Sequence, residues 1–505
     1  MSLATKLIRG SSVTLLEHVV KIAAMFVTTP LMVVHLGKEA YGTWIVALTI
    51  IGYLRLLDLG VSFSGNRFLA RALGAGDEAQ YHHLVDSFVY LYQRIALLAL
   101  ATTLVLSLAL PPFLPENSFL GATRWLVLGL GITTAIRFWT RIYEVVLKSH
   151  LRYDQIGLAT LAKTIVQALL VVVALKQGRG LESLLLVYVI SDILDQVLLV
   201  VFSRRILPVG VLPRFHRPGD LPALARYSVS AVMATLGNQL RQGVDPLVIG
   251  HFSGLAQVSS YSIGSRFLTL FTDLVNAAFG GNFVAAFSQL DGRNDPASLT
   301  RNFLTTLKFS CTVAAFGGSA IAIFGPAFIE RWVGPTFSDA IRVLLLLSAP
   351  TTLMLMQYPV WGFFYSQNRQ HWLAFTALAG GAFNLIFSIA LVLQIGFIGV
   401  VWATVVELTL VFGIIVPVLI SRFCKIPLHR YYWDLLRPVL PFLLYGWVFH
   451  SLSDVVLVPE YPRLILLGLG YCAGAVPLFW FLTLAPGERA KVASRFSKTR
   501  KPTGG

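Results

Sequence analysis

Apolar runs dominate this chain, and polar residues are confined to the short gaps between them. A helix needs roughly 20 apolar residues, rising 1.5 Å each, to cross about 30 Å of hydrocarbon. On that measure about fourteen spans are predicted. They lie near 11–35, 40–66, 82–110, 120–146, 156–175, 182–203, 223–250, 256–287, 299–324, 340–365, 371–394, 397–420, 434–453 and 463–484. Several exceed the minimum and are expected to tilt, kink or extend past the headgroups. The predicted fold class is an all-α integral membrane protein.

Composition agrees with the pattern. Hydrophobic residues make up 56% of the chain, charged residues 13%, and mean hydropathy is +0.72, which excludes an ordinary soluble fold. The net charge of +16 raises the question of nucleic acid, and its placement answers it. Basic residues gather in alternate gaps, among them Arg67 and Arg71, Lys148 and Arg152, Arg204 and Arg205, Arg422 and Lys425, and in the tail from Arg489 to Lys501. The opposite gaps hold only Lys38, Arg124, Lys176, Arg179, Arg331, Arg342 and Arg463. Roughly 24 basic residues against 7 is a positive-inside bias, which predicts both termini in the cytoplasm and a tail that anchors on anionic lipid. No nucleic-acid partner is expected.

The first span carries Glu17, His18 and Lys21, unlike the apolar region of a signal peptide, so no cleavable signal is expected. Cys311, Cys424 and Cys472 have neither metal spacing nor a disulfide framework, and no metal or cofactor is expected.

The longest polar connection runs from Ser203 to Arg226 and contains Pro208, Pro213, Pro218 and Pro222, a linker composition. It predicts an amino-terminal lobe of six spans at 1–207, a cytoplasmic linker at 208–222 and a carboxy-terminal lobe of six spans at 223–425. Two further spans follow at 426–485, then a basic cytoplasmic tail at 486–505. The halves echo one another. Thr29-Pro30-Leu31-Met32-Val33-Val34-His35 aligns with Asp245-Pro246-Leu247-Val248-Ile249-Gly250-His251, and Ser12-Val13 aligns with Ser228-Val229. Both segments lead off after a basic cytoplasmic stretch, so the repeat is parallel, about an axis along the membrane normal. Pro30 and Pro246 are the candidate hinges, since each frees a carbonyl inside a span.

The predicted loops are too short for a catalytic domain, which directs attention to charges inside the bilayer. Lys21, Arg94, Asp192, Arg266 and Glu407 fall in the middle third of their spans. Arg137 and Arg141 count toward the cytoplasmic end, where snorkelling is the simpler expectation. Local pairs at helical spacing, Glu17 with Lys21, Arg55 with Asp58, Arg141 with Glu144, and Arg241 with Asp245, are self-neutralising. Asp192 and Asp195 share a face, with Lys163 of the preceding span as their expected partner. Lys21, Arg55, Arg94, Arg241 and Arg266 are the candidate anion-binding residues. Glu407, Asp192 and Asp245 are the candidate ion-coupling acids, because burial favours proton uptake by a carboxylate. Gly129, Gly131, Gly380 and Gly381 read as close-packing positions.

The run Pro30-Leu31 with His35-Leu36-Gly37-Lys38-Glu39-Ala40-Tyr41-Gly42-Thr43-Trp44, then Tyr53 and Asp58-Leu59-Gly60, resembles the polysaccharide flippases of the multidrug/oligosaccharidyl-lipid/polysaccharide exporter superfamily, the O-antigen and capsule translocases. So does Asp245-Pro246-Leu247-Val248-Ile249-Gly250 with Tyr261-Ser262-Ile263. The resemblance spans nearly the full length. It implies two six-helix bundles plus two extra helices in a cytoplasmic (inner) membrane protein of polysaccharide or lipopolysaccharide biosynthesis. The implied activity moves a polyprenyl-diphosphate-linked oligosaccharide between leaflets by alternating access, with ion coupling and no catalysis. Its implied partners are the lipid-linked oligosaccharide, membrane lipids, a polysaccharide polymerase and glycosyltransferases. The family's cationic cavity maps onto Lys21, Arg55, Arg94, Arg241 and Arg266. The related lipid II flippases carry several arginines in the first span, where this chain has His18 and Lys21, which argues against lipid II as cargo. Two rivals remain: a multidrug/cation antiporter of the same superfamily, which would favour twelve spans and an acid-lined cavity, and a membrane glycosyltransferase or polymerase, which would need a long outer loop. The last two spans are expected to accommodate a polyprenyl chain.

Overall fold

The structure is a computed structural model that describes residues 3–58, 60–110, 119–207, 236–237, 239–240, 243–279, 287–288, 291, 296–453, 460–484, 487 and 489. The predicted linker at 208–222, the start of the span at 223–250 and nearly all of the tail at 486–505 lie outside these residues. Among the described residues the chain is helical and contains no strand. Ten of these helices are long and apolar enough to cross a membrane, making this a multi-pass membrane protein. The chain divides into two compact units, Met1–Ser259 and Ser260–Gly505.

In the first unit, α1 (Leu3–Leu54) is 52 residues long, roughly 78 Å at 1.5 Å per residue and more than twice the hydrocarbon thickness. Gly37 breaks it, with φ 80° and ψ 170°, a conformation that residues bearing a Cβ avoid. The helix runs through Pro30 with helical dihedrals, so the sharp break falls between the predicted first and second spans and not at the proline. The predicted span at 40–66 does not continue unbroken. It gives way to a 3-10 turn, Arg55–Asp58, and α2 (Val61–Ala75) restarts beyond Gly60, whose φ is 74°. Asp58 caps this restart, accepting from the Ser62 hydroxyl at 2.7 Å and the Ser62 backbone N–H at 3.3 Å.

The unit continues with α3 (Glu78–Ala109), α4 (Leu120–Trp139), α5 (Arg141–Ser149), α6 (Tyr153–Lys176) and α7 (Leu181–Ser203). Gly129 seats Leu185 of α7 and Gly131 seats Thr103 of α3, the close packing that their positions predict. The core gathers Phe88, Tyr92, Ile142 and Val146, all fully buried. A further helix, α8 (243–252), leads to α9 (Leu255–Phe279), whose first residues complete the unit. A Cβ on Gly42 would overlap the Leu255 carbonyl, and the Ser259 hydroxyl donates to the Lys38 carbonyl at 2.5 Å. Of the glycines in the run that carries the family resemblance, Gly42 therefore has a packing cause and Gly37 a conformational one.

The second unit contains α10 (Pro296–Val333), α11 (Ser338–Met356), α12 (Pro359–Ser366), α13 (Gln370–Ile395) and α14 (Phe397–Leu410). A π-helical turn, Val411–Ile415, joins α14 to α15 (Val416–Cys424). Such a turn widens the helix and releases carbonyls from their usual donors. Gln357 donates to the Phe412 carbonyl at 2.5 Å and Tyr432 to the Gly413 carbonyl at 2.5 Å. The fully buried Tyr431 donates its hydroxyl to Gln357 at 3.0 Å. Both tyrosines lie on α16 (Leu428–Leu436), which is thereby tied to the turn. The last helices, α17 (Leu440–Ser453) and α18 (Tyr461–Leu478), pack on α10 through Phe316, Phe324, Tyr445, Phe449 and Tyr471.

Outward faces are apolar: Leu108 is 75% and Leu452 81% exposed, the inverse of a soluble surface.

Candidate functional site

Part of the charge predicted inside the bilayer converges in the first unit. Arg137 of α4 donates from Nη2 to Asp192 Oδ1 of α7 at 2.8 Å. Lys163 of α6 contacts the same Asp192 oxygen, the partnership that the sequence suggests. Asp195, one turn on, lies 4.0 Å from Arg137. Its Oδ2 accepts from Gln196 at 3.4 Å, while its buried Oδ1 has no hydrogen-bond partner among the described residues.

Arg137 stands deeper than its place near the end of α4 suggests, because helix resumes across Thr140 as far as Ser149. The Thr140 hydroxyl lies 2.5 Å from Gln196 Oε1 and 3.0 Å from the Ile136 carbonyl, which holds the junction against α7. Counted from Ser149, Tyr153 and Ser203, residues Arg137, Lys163 and Asp192 all lie roughly 15–18 Å along their helices. Snorkelling is thus not the role of Arg137; a carboxylate at mid-helix holds it.

A second tier adjoins the first. Arg141 donates to Glu144 at 2.5 Å and to the Ser62 hydroxyl at 3.2 Å. Lys148 reaches the other Glu144 oxygen at 2.6 Å, and the buried Tyr92 hydroxyl lies 3.1 Å from Ser62. Arg55, exposed on the 3-10 turn, sits in the field of Arg137, Arg141 and Asp192. The predicted one-turn pairing of Arg55 with Asp58 gives way to the capping of α2 by Asp58. Five cations (Arg55, Arg137, Arg141, Lys148 and Lys163) thus stand among four acids (Asp58, Glu144, Asp192 and Asp195). The cluster is nearly self-neutral, and it remains reachable: the side chains of Arg137, Lys163 and Asp192 are 34%, 18% and 18% exposed.

The structure thereby brings Arg55 and Asp192 together, and it places the other predicted residues elsewhere. Lys21 is exposed on α1, and Glu17 lies 3.4 Å from His18. Arg94 is exposed on α3 with its guanidinium 5.0 Å from the Tyr90 ring. At 100° per residue it points about 200° from Tyr92 and shares its stripe with exposed Leu97, Leu98, Leu104, Val105 and Leu108. Arg241 lies outside the described residues. Arg266 is half-buried on α9. Asp245, fully buried on α8, lies in the field that reaches Tyr53, and Pro246 beside it is buried as well, while Pro30 is half-buried.

Glu407 of α14 is fully buried in the second unit, and the space above Gly380 is what admits it: a Cβ there would meet the carboxylate. The glycine predicted to allow helix packing thus accommodates an acid. Near it, Asn384 donates to Thr404 at 2.9 Å. Elsewhere in this unit, α10, α11 and α17 enclose a groove of about 380 Å³ walled by Ser319, Ile323, Thr352, Leu443, Gly446 and Trp447.

A family model described as polysaccharide biosynthesis protein matches residues 36–342. The chain belongs to that family. It is 26% identical over 200 residues to the uncharacterized membrane protein EpsK of Bacillus subtilis (strain 168), an alignment that covers 39% of this chain and 38% of that protein. The chain thus spans well under half the length of that curated relative. The fold is similar to that of the lipid II flippase MurJ in an inward closed conformation, with TM-score 0.72 and 16% identity over 94% of this chain and 99% of that one. It is also similar to an inward-facing multidrug resistance MATE family transporter, with TM-score 0.63 and 12% identity over 88% and 100% of the two chains. These likenesses show a fold shared with the two solved structures.

Proposed function

We propose that the protein is a flippase which moves a polyprenyl-diphosphate-linked oligosaccharide across the cytoplasmic membrane by alternating access, and that it catalyses no covalent step. Membership of the polysaccharide biosynthesis family supports the cargo class. The observation that carries the reading is the accessible, mid-helix charge cluster around Asp192, since groups so costly in hydrocarbon mark a transport path. Arg55, with Lys21, Arg241 and Arg266, serves the diphosphate or an acidic sugar, while Arg94 stands on the outward apolar stripe of α3. The cationic excess required for that emerges when the acids of the cluster are neutralised or displaced. Ion coupling runs through Glu407, Asp192 and Asp245, with Pro30 and Pro246 as hinges.

Fourteen crossings with both termini cytoplasmic complete the reading. The break of α1 at Gly37, the apolar α4 and the helices α8 and α9 support crossings beyond the ten long apolar helices. The apolar groove beside α17 supports a path for the polyprenyl chain, which loses roughly 0.8 kcal/mol per methylene exposed to water. Glycosyltransferases supply the cargo, and a polymerase consumes it.

The reading is tested in proteoliposomes that contain purified protein and a lectin-reactive polyprenyl-diphosphate glycan. Protein-dependent transfer of glycan between leaflets is the expected result. Equal transfer in protein-free vesicles, or transfer of phosphatidylglycerol at the same rate, would remove the assignment.

A further inference from the structure

Two cations from different helices, Arg137 Nη2 and Lys163 Nζ, meet on one oxygen, Asp192 Oδ1. As a mere link between helices, one carboxylate oxygen engaged by two positive charges would gain little over apolar packing. The site is not sealed, as the partial exposure of all three side chains shows. A third cation, Arg55, has Arg137, Arg141 and Asp192 within its field.

We propose that Arg137 and Lys163 form a recognition site for the phosphate oxygens of a diphosphate, and that Asp192 Oδ1 marks the position such an oxygen takes. This rests on the flippase reading and assigns its headgroup contact to Arg137, which the sequence pattern ranked low, and to Lys163, which it read as a partner of Asp192. The Arg137 guanidinium supplies a planar fork that matches two phosphate oxygens, and Lys163 supplies a compact charge opposite it. Asp192 is the internal counter-charge. When it turns away, the two cations and Arg55 face a ligand that carries two or more negative charges, and Asp195, 4.0 Å from Arg137, keeps the guanidinium oriented. The carboxylate therefore competes with the ligand, so that removing its charge strengthens binding instead of weakening it. A pair that serves only as a structural link has the opposite signature.

The test measures inorganic pyrophosphate and farnesyl diphosphate binding to the purified full-length protein in neutral detergent, by calorimetry at neutral pH and low salt. Asp192→Asn should tighten both ligands by at least threefold. Lys163→Ala and Arg137→Ala should each weaken them by at least tenfold, with Arg137→Lys in between. If single cation variants elute as aggregates, the pair Lys163→Gln with Asp192→Asn keeps the packing neutral, and it should bind at least tenfold more weakly than Asp192→Asn alone. Binding that is unchanged or weaker in Asp192→Asn overturns the proposal, as does equal binding by the single and the double variant. Binding of phosphatidylglycerol micelles as tight as farnesyl diphosphate assigns the pair to phosphodiester headgroups and overturns the diphosphate assignment. Pyrophosphate binding without farnesyl diphosphate binding supports the site and gives its ligand as a free anion. A protein that moves lipid-linked glycan but shows none of these shifts keeps its function and loses only this site.

Discussion

Single side chains in this protein are constrained most where helices touch backbone to backbone. Gly42 faces the Leu255 carbonyl, a rigid neighbour that cannot rotate aside. Gly42→Ala is expected to cost about 1–3 kcal/mol and to lower the thermal midpoint of the detergent-solubilised protein, whereas Gly74→Ala, with open space around it, should leave it unmoved. Glu407 makes a contrasting case. Its carboxylate is buried against Gly380, a position with room for the amide of glutamine. Glu407→Gln should fold normally and remove the dependence of glycan transfer on an imposed pH gradient. Gradient dependence that persists in Glu407→Gln, Asp192→Asn and Asp245→Asn alike would exclude coupling through these acids.

At the scale of elements, the π-turn at Val411–Ile415 shows how a local irregularity organises its surroundings. Its released carbonyls take donors from the end of α11 and from α16, so three elements depend on one distorted turn. Gln357→Leu leaves the Tyr431 hydroxyl and the Phe412 carbonyl without these partners, at about 2–3 kcal/mol. Tyr431→Phe alone leaves only one amide oxygen orphaned. The double variant should be less destabilised than the two single effects added, which denaturant melts in a double-mutant cycle would detect.

The ten long apolar helices were legible in the sequence, because hydropathy registers bilayer thickness whatever the packing. The partnership of Lys163 with Asp192 was legible too, since adjacent spans bring mid-depth charges together. The role of Arg137 was not, because its position near the end of the predicted span suits snorkelling, and only the packing of α4 on α7 brings Asp192 to it. Asp58 misled for a similar reason. Its spacing from Arg55 suits a helical pair, but the Gly60 turn makes it a cap instead.

For the molecule as a whole, the expectation with most reach is orientation. In a variant lacking Cys311, Cys424 and Cys472, single cysteines at Lys176 and Arg463 should react with an impermeant maleimide in intact cells. Cysteines at Lys148 and Arg422 should react only after permeabilisation, and the reverse pattern would invert the topology. A second expectation concerns the carboxy-terminal helices. A chain ended after Arg437 keeps the Tyr431 clasp and removes α17 and α18. It should insert, yet lose crosslinking to a photoreactive prenyl chain. Full glycan transfer by this shortened protein would show that the last two helices only buttress α10.

The seat of Leu255 and Ser259 on the break of α1 also sets a schedule. The Ser259 hydroxyl and the Lys38 carbonyl are 221 residues apart, so one is synthesised long before the other. At about 5–20 residues per second, roughly 10–40 s pass between them on the ribosome. During that interval the first two helical segments already stand joined at Gly37, with the notch at Gly42 unfilled. The oldest part of the chain thus stays open until the start of α9 has been made. A nascent protein stalled anywhere before Leu255 presents that bare notch, which distinguishes it from a chain that has passed the start of α9.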